Sequence, residues 1–558
     1  MEQLVFVLIL IGMIFLIMFF QYLNAKKSDK LYLQNLQKSF GNNDRSSYDS
    51  KRLKNAQGYY QRHRQYGQLD DITWSDLGLD EFFSLIDTTQ TDIGREVLYY
   101  RIRTILFTKE EIDNRRSQIE FWRKNPELRG NILLYFHHMR RFSKASIFDY
   151  LDALSKRKDL DLKRYIFQIV LTIISIALIW PLRGIGVIIF ICVTIINLIT
   201  YYKAFSEIKA DSILFDYILD LINVSEDVAR IYPSDEIIND LNKLHQIKHS
   251  YGFERFFLGG SNPIGLILDI LGSLFFAKLF RYQRISKVIQ SNIDAIDSLI
   301  YVVGGIDADI SMAGYIEYLG ENCCKYEIAE AGLHNYECTD IYHPLLASPV
   351  SNSVTISSSI LLTGANASGK STFLKTIALA QVCAQSFGYV CAKSYSSPIS
   401  LCVSSMSIKD DISKGDSYYM AEIKNIKRII DAIPAAEEKK IHVICFVDEL
   451  LRGTNTIERI AASSQILNYL NNAGVTLCAA THDLELCTIL QPFENYHFDE
   501  SIKDGDVYFS YKLEKGPAES RNAIRLLENL GFSNDIVDAA NDGVAFFENN
   551  GIWKVLES

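Results

Sequence analysis

Residues 364–371 read Gly-Ala-Asn-Ala-Ser-Gly-Lys-Ser and match the pattern G-x-x-x-x-G-K-[ST], in which a glycine-rich loop wraps phosphate groups. The apolar run Ile360–Leu362 before it predicts a strand, and Thr372–Leu379 after it predicts a helix. Backbone N–H groups at the start of such a helix form an anion site. This order of elements predicts a loop that binds ATP or GTP.

The same pattern assigns roles to individual side chains. Lys370 is expected to reach the β- and γ-phosphates, and Ser371 is expected to ligate Mg²⁺. The candidate nucleotide-binding residues of this segment are Gly364, Asn366, Gly369, Lys370, Ser371 and Thr372.

Two acids follow a second apolar run, Val443–Val447, which predicts a buried strand. Asp448 is expected to hold the Mg²⁺ shell, and Glu449 is expected to polarise the attacking water. A core strand that ends in two acids by accident is the alternative. His482 follows a third apolar run, Val475–Ala480, where it either senses the γ-phosphate or has a structural role. The candidate catalytic residues are therefore Asp448, Glu449 and His482, with Ser371 and Asp448 as metal ligands.

A loop rich in serine and glycine, residues 410–417, opens an amphipathic helix that contains Glu422. The unpaired N–H groups at the start of that helix predict another anion site, formed with Ser413, Gly415 and Ser417. An ordinary capped helix start is the alternative.

The composition limits the class of protein. With 558 residues the chain is long enough for several domains. Its net charge of −10 gives no general attraction to nucleic acid or to anionic lipid. Ten cysteines without a C-x-x-C pair indicate reduced, mostly buried thiols in a cytosolic setting instead of a zinc site or a disulfide framework.

Three apolar segments indicate membrane contact. Leu4–Leu23 is long enough to span a bilayer as an anchor, with a cleaved signal peptide as the alternative. The many Lys and Arg residues after it predict a cytoplasmic location for the remainder of the chain. Tyr165–Trp180 and Ile185–Tyr202 predict a transmembrane hairpin, with a buried hairpin in a soluble core as the alternative. Phe256–Phe280 predicts a core helix, because Asp269 lies in its middle.

The chain changes character near residues 325–340, where helical patterns give way to short β-branched runs that alternate with helices. The predicted fold class is therefore α plus α/β: transmembrane helices and a helical core or lever region, followed by a P-loop α/β ATPase domain of the ABC-like type. The predicted divisions are an anchor (1–24), a basic juxtamembrane stretch with a helical region (25–163), the hairpin (164–203), a helical core or lever region (204–325) and the ATPase domain (326–558).

Taken in order, these motifs resemble the MutS family. The family's P-loop, its Ser-x-Gly-x-Ser loop, its Asp-Glu pair and its Thr-His are all present, and Arg452–Thr456 is similar to its Arg-Gly-Thr-x-Thr. His343–Leu346 resembles the opening of the family's ATPase domain, and Tyr511–Leu513 resembles its closing segment. Leu85–Arg95 is similar to the start of its helical core. The resemblance covers roughly residues 75–125 and 320–545.

The resemblance implies an ATPase that uses ATP and Mg²⁺ and works as a homodimer, with the Ser413–Ser417 loop of one subunit facing the nucleotide of the other. It implies DNA as the ligand by family analogy. The apolar segments, separately from the resemblance, predict a multi-pass protein of the cell membrane with a cytoplasmic ATPase domain.

This chain also departs from the family's pattern. Where mismatch-repair members begin with a mismatch-reading domain, it has the anchor and the basic stretch. No aromatic residue for stacking on adenine stands out in Ser348–Val354. Two other functions stay open: a membrane-bound ATPase that acts on protein partners without DNA, and an ABC-type transporter.

Overall fold

A computed structural model describes residues 2–42, 53, 55–141, 146–258, 272–329, 335–365, 368–406, 418–503, 506–518, 524, 527–528 and 531–555. The chain forms two compact units. Unit 1 contains Met1–Arg64, Ile86–Tyr100 and Ile119–Glu317, and unit 2 contains Gln65–Leu85, Arg101–Gln118 and Tyr318–Ser558.

The helices are numbered in chain order. They are α1 (Glu2–Ser39), α2 (Gly58–Arg62), α3 (Asp71–Asp76), α4 (Leu79–Ile86), α5 (Asp92–Arg103), α6 (Lys109–Lys124), α7 (Pro126–His137), α8 (Ile147–Ser155), α9 (Leu162–Leu182), α10 (Gly184–Ile231), α11 (Asp235–Leu258), α12 (Ala277–Ser291), α13 (Ile293–Leu319), α14 (Lys370–Phe387), α15 (Tyr418–Glu438), α16 (Thr456–Asn472), α17 (Glu485–Ile489) and α18 (Asn534–Asn550).

The strands belong to unit 2. They are β1 (Cys324–Ile328), β2 (Tyr336–Ile341), β3 (Asn352–Ile356), β4 (Ile360–Thr363), β5 (Tyr389–Val390), β6 (Ser394–Ser397), β7 (Ser400–Ser405), β8 (His442–Asp448), β9 (Thr476–Ala480), β10 (Glu494–Lys503) and β11 (Asp506–Lys515).

Unit 1 is helical, and a buried carboxylate joins two of its elements. Asp307, in the middle of α13, accepts hydrogen bonds from the backbone N–H groups of Gln90 and Thr91 and from the Thr91 hydroxyl, just before α5 begins. Burial raises the pKa of Asp307 to about 6, although these hydrogen bonds act the other way. Gly94 lies so close that an added Cβ would stand 2.3 Å from an Asp307 oxygen. Residues 86–95, most of the segment singled out in the sequence, therefore pack tightly within this unit.

Three helices in the described part of the chain are long and apolar enough to cross a membrane by length and composition: Leu162–Leu182, Gly184–Ile208 and Ile293–Asn322. Only 22% and 17% of the most apolar windows of the first two are buried, against 89% for the third. The third is thus a core helix of unit 1. The first two are the hairpin predicted from the sequence, although α10 continues as one helix to Ile231. The predicted anchor, Leu4–Leu23, lies within α1.

Unit 2 contains two sheets. The larger has the strand order β11-β10-β4-β9-β8-β7, parallel throughout except for the antiparallel pair β10–β11. Its strands β4, β8 and β9 are almost wholly buried and match the apolar runs of the sequence. The smaller, mixed sheet has the order β3-β2-β6-β1-β5. The parallel sheet predicted from the sequence is therefore present. The sequence pattern did not predict that the smaller strands form a second sheet of their own.

Unit 2 also contains two segments from the first part of the chain, residues 65–85 and 101–118. Asp76, at the end of α3, is buried and accepts hydrogen bonds from the hydroxyl of Ser404 at 2.7 Å and the N–H of Met406 at 2.9 Å. Arg428 of α15 pairs with Asp70. Residues 65–85 thus pack with the sheet that carries the P-loop, and residues 101–118 belong to the same unit, whereas the sequence grouped both with the helical region.

Candidate functional site

The P-loop joins the buried strand β4 to α14, as predicted. Gly364 and Gly369 have φ angles of 135° and 112°, in the region that favours glycine. A Cβ at Gly364 would also lie 2.8 Å from the carbonyl oxygen of Phe498. The backbone conformation therefore favours glycine at both positions. At Gly364 there is also no room for a side chain. Asn366 lies outside the described residues.

Lys370 begins α14 and is buried. Its ammonium donates hydrogen bonds to the carbonyl oxygens of Gly364 at 2.7 Å and Ala365 at 2.8 Å. The charge is therefore held inside the loop, where phosphate oxygens could replace the two carbonyls as stronger, charge-assisted acceptors.

Ser371 and Asp448 lie next to each other. Strand β8 ends at Asp448, which pairs in register with Ala480 of β9, and the Ser371 hydroxyl is close enough to the carboxylate to lower its pKa. Burial raises the pKa of Asp448, although the Ser371 hydrogen bond and the charges of Arg452 and Lys370 oppose this. Within the described chain, the Oδ1 atom of Asp448 is buried without a hydrogen-bond partner.

That unpartnered oxygen tests whether the site fits Mg²⁺. A buried carboxylate oxygen without a donor is costly unless a cation or water satisfies it. Magnesium takes oxygen ligands and is usually held by one or two protein groups together with substrate phosphates. Ser371 and Asp448 supply such a set, so the residues fit the ion.

Glu449 is held at both carboxylate oxygens. Its Oε1 lies 2.6 Å from Nε2 of His482, and its Oε2 lies 2.5 Å from Nε of Arg452. Its backbone N–H donates to the carbonyl of Ala480, and its φ of 53° is in the left-handed region. Burial raises the pKa of Glu449, but the hydrogen bond and charge of His482 and the charges of Arg452 and Lys370 outweigh it. The pKa is therefore lower than usual, and the carboxylate stays ionised.

His482 lies at the end of β9, as predicted, and its contact is with Glu449. The adjacent Thr481 N–H donates to the carbonyl of Leu362 at 2.9 Å, which ties this turn to β4. The residue after His482, Asp483, makes a two-pronged contact with Arg459 at 2.8 and 2.6 Å. The role of His482 as a γ-phosphate sensor stays a prediction.

A cavity of about 580 Å³ opens beside the P-loop and brings the predicted residues together. Gly369, Lys370, Ser371, Thr372 and Glu449 all line it. Sequence reasoning did not assign the apolar wall of this cavity, which is formed by Tyr342, His343, Leu346, Val350, Phe498 and Tyr511.

The side chains of this wall are mostly apolar and aromatic, so a flat heterocycle could lie against them. Burial, together with the charge of Lys375, lowers the pKa of His343 to about 4, so its ring is neutral near pH 7. Two sequence motifs, His343–Leu346 and Tyr511–Leu513, contain residues of this wall. The motifs alone do not show that these residues line a cavity.

The loop with Ser413, Gly415 and Ser417 lies outside the described residues. The helix after this loop is tied to the site by Glu422, a buried residue that accepts a hydrogen bond from the N–H of Leu451. Leu451 has a φ of 59°. Glu422 thus holds the turn that carries Glu449 and Arg452, a contact that the sequence did not predict.

Comparisons with known proteins agree with this geometry. Residues 360–548 match the family model of MutS domain V. The chain is 31% identical over 317 residues to the human MutS protein homolog 4. The aligned region covers 52% of this chain and 31% of that relative.

Residues 360–548 of the chain form a domain of the MutS family.

Two microbial relatives support the same family. The DNA mismatch repair protein MutS 2 of Haloarcula marismortui is 33% identical over 190 residues, 33% of this chain and 19% of that protein. The DNA mismatch repair protein MutS of Streptococcus sanguinis is 33% identical over 193 residues, 34% of this chain and 22% of that protein. The matched part of this chain spans less than a third of the length of each of these relatives.

Proposed function

We propose that this MutS-family chain is a membrane-embedded ATPase that binds and hydrolyses ATP as a dimer and couples hydrolysis to DNA binding. The observation that carries the ATPase proposal is the cavity beside the P-loop. Lys370, Ser371 and Glu449 line that cavity, and Asp448 contacts Ser371 although it lies far away in sequence.

Each residue has a role that its contacts support. Lys370 exchanges its two carbonyl partners for phosphate oxygens and neutralises charge that develops there. Glu449 is ionised and oriented by His482 and Arg452, so it can accept a proton from a water that attacks the γ-phosphate. Ser371 and Asp448 would hold Mg²⁺, which, when bound, neutralises phosphate charge. The apolar wall with Leu346, Val350 and Tyr511 offers a surface on which the adenine ring of ATP can lie.

The surface of the α9–α10 hairpin supports the membrane part of the proposal. Large apolar side chains cover its outer faces, and Trp180 is 92% exposed. Other exposed residues are Phe167, Ile173, Ile185, Ile188, Ile195 and Ile199. An apolar surface of this extent marks an interaction site, and two neighbouring helices of sufficient length fit a bilayer.

The interior of the hairpin is polar, which also fits a bilayer. Thr172, Ser175 and Asn197 are almost fully buried. The Asn197 amide donates to the Thr172 hydroxyl at 2.7 Å, and the Ser175 hydroxyl donates to the Thr172 carbonyl at 2.7 Å. Polar side chains between helices and apolar ones outside are the arrangement of helices packed in lipid.

The family resemblance supports a dimer and a DNA ligand, and the composition supports a second candidate. A net charge of −10 does not favour a polyanion as ligand. A membrane-bound ATPase that acts on protein partners without DNA is therefore the alternative.

A binding experiment on the full chain in detergent separates the two. Homoduplex, mismatched and branched DNA are titrated with ATP, with ADP and without nucleotide. Binding that depends on the nucleotide and weakens with salt supports the DNA function. No binding to any DNA in any nucleotide state, from protein that binds ATP, supports the alternative.

A further inference from the structure

A cluster of three possible metal ligands lies on the β10–β11 hairpin. His497 on β10 pairs in register with Glu514 on β11, and Asp499 follows His497 by two residues. One ligand atom from each of the three lies within 4.8 Å of the others. Neighbours across an antiparallel pair share a face of the sheet, so His497 and Glu514 project from the same side, and Asp499 is close enough to both to offer a third ligand atom.

Two local features orient the ligands. The register of β10 and β11 shifts between Phe498, which pairs with Leu513, and Glu500, which pairs with Phe509, so the extra residues are on β11 and Asp499 lies opposite them. Bulges redirect side chains next to functional sites. The Nδ1 atom of His497 lies 3.0 Å from the carbonyl oxygen of Gly516, an acceptor, so Nδ1 carries the proton. The Nε2 lone pair is then available on the side of the carboxylates, which is the usual arrangement of a metal-bound histidine.

The distance between His497 and Asp499 fits two ligands of a shared cation better than a direct hydrogen bond. Nε2 of His497 lies 3.5 Å from Oδ1 of Asp499, against 2.6 Å in the His482–Glu449 pair. A charge-assisted hydrogen bond measures about 2.7–2.9 Å. Two ligands bound tetrahedrally to zinc at about 2.0–2.2 Å stand roughly 3.3–3.6 Å apart.

We propose that His497, Asp499 and Glu514 bind a zinc ion, with water in the fourth position. One imidazole and two carboxylates are ligands that zinc accepts, and sites with three protein ligands keep an open fourth position.

The position of the cluster gives the ion a role in the nucleotide site. His497 pairs with Thr363 of β4, immediately before the P-loop. The next residue, Phe498, lines the cavity and stacks edge-on against Phe373 with ring centres 5.6 Å apart. An ion that joins β10 to β11 would hold this wall in place, so zinc should increase nucleotide affinity. This consequence rests on the proposed ATPase site, whereas zinc binding itself does not.

Cobalt and zinc titrations of the untagged full chain, stripped with a chelator, test the proposal. We expect one Co²⁺ ion bound through nitrogen and oxygen, without the sulfur charge-transfer band that a cysteine site would give, and displaced by Zn²⁺. His497→Ala and Glu514→Gln should each weaken binding more than about 10-fold. Glu494→Gln is the matched control, because Glu494 is also on β10 but faces Lys515 at 3.5 Å.

Three results would overturn the zinc site: no metal binding by the wild type, unchanged binding by both ligand variants, or a sulfur charge-transfer band for the bound ion. A separate ATP titration with and without Zn²⁺ tests the coupling. A rise in ATP affinity that is lost in His497→Ala supports it, and equal affinity in a protein that binds zinc contradicts it. A protein that binds zinc but no ATP would refute the proposed ATPase and leave the metal site standing.

Discussion

The carboxylate of Glu449 lies 2.6 Å from Nε2 of His482, a contact that joins the ends of two neighbouring strands, β8 and β9. Because the contact is short and partly buried, it fixes the orientation of Glu449 and helps to keep it ionised. The histidine is thus a positioning residue for the proposed base.

Replacing Glu449 with Gln should preserve ATP binding and slow hydrolysis by about 10²-fold or more, because the attacking water loses its proton acceptor. Single-turnover hydrolysis and equilibrium binding of ATP measure the two effects separately. Glu437→Gln, an exposed site on α15, is the control and should behave as wild type. Loss of ATP binding in Glu449→Gln would contradict the assigned role.

The acid limb of the pH profile should report Glu449. Its pKa is lowered in the folded protein, so the base stays ionised to a lower pH than an ordinary Glu. His482 is the largest of the influences that lower the pKa of Glu449 against the effect of burial. In His482→Gln this influence is removed, so the pKa of Glu449 should rise and the acid limb of kcat/KM should move to higher pH. An acid limb that stays at the wild-type pH would contradict the coupling between these residues.

Cys192 provides a natural probe of the hairpin. It is exposed on α10, within Gly184–Ile208. If the hairpin is in lipid, a membrane-impermeant maleimide should fail to label Cys192 in native membranes and should label it after denaturation. Mass spectrometry of the peptide measures the difference, with Cys192→Ser as the control. Rapid labelling in intact membranes would favour a hairpin on the surface of a soluble fold.

The Ser413–Ser417 loop is expected to act on the nucleotide of the partner subunit. Ser417→Arg should then preserve ATP binding and block hydrolysis. Mixing it with Lys370→Ala subunits should restore activity in heterodimers, because one composite site has both an intact P-loop and an intact loop. Inactive heterodimers, with their formation verified by differential tagging, would mean that the loop acts within its own subunit or only structurally.

Several parts of the site could be predicted from the sequence because they depend on local patterns. A glycine-rich loop between a strand and a helix has one functional geometry, and carboxyl ends of parallel strands meet at one edge. That reasoning predicted that Lys370, Ser371 and Asp448 would meet, and the cavity and contacts of unit 2 agree.

Other parts depend on register and on long-range packing that no local pattern carries. The contact of Arg452 with Glu449 requires a backbone turn with positive φ at Glu449 and Leu451. The cavity wall combines Leu346 with Tyr511, which are distant in sequence. The His497–Asp499–Glu514 cluster depends on the hairpin register and its bulge. Sequence spacing alone does not specify any of these.

Steady-state hydrolysis of ATP by the full chain in detergent tests the central claim most directly, when wild type, Lys370→Ala and Lys427→Ala are compared. Lys427 lies on the surface of α15, where it pairs with Asp431, and serves as the control. We expect magnesium-dependent turnover by wild type and Lys427→Ala, and a loss on the order of 10²–10³-fold in Lys370→Ala, since a charged contact with the phosphates is removed. Turnover by Lys370→Ala at the wild-type rate would contradict the assignment of the P-loop as the catalytic site.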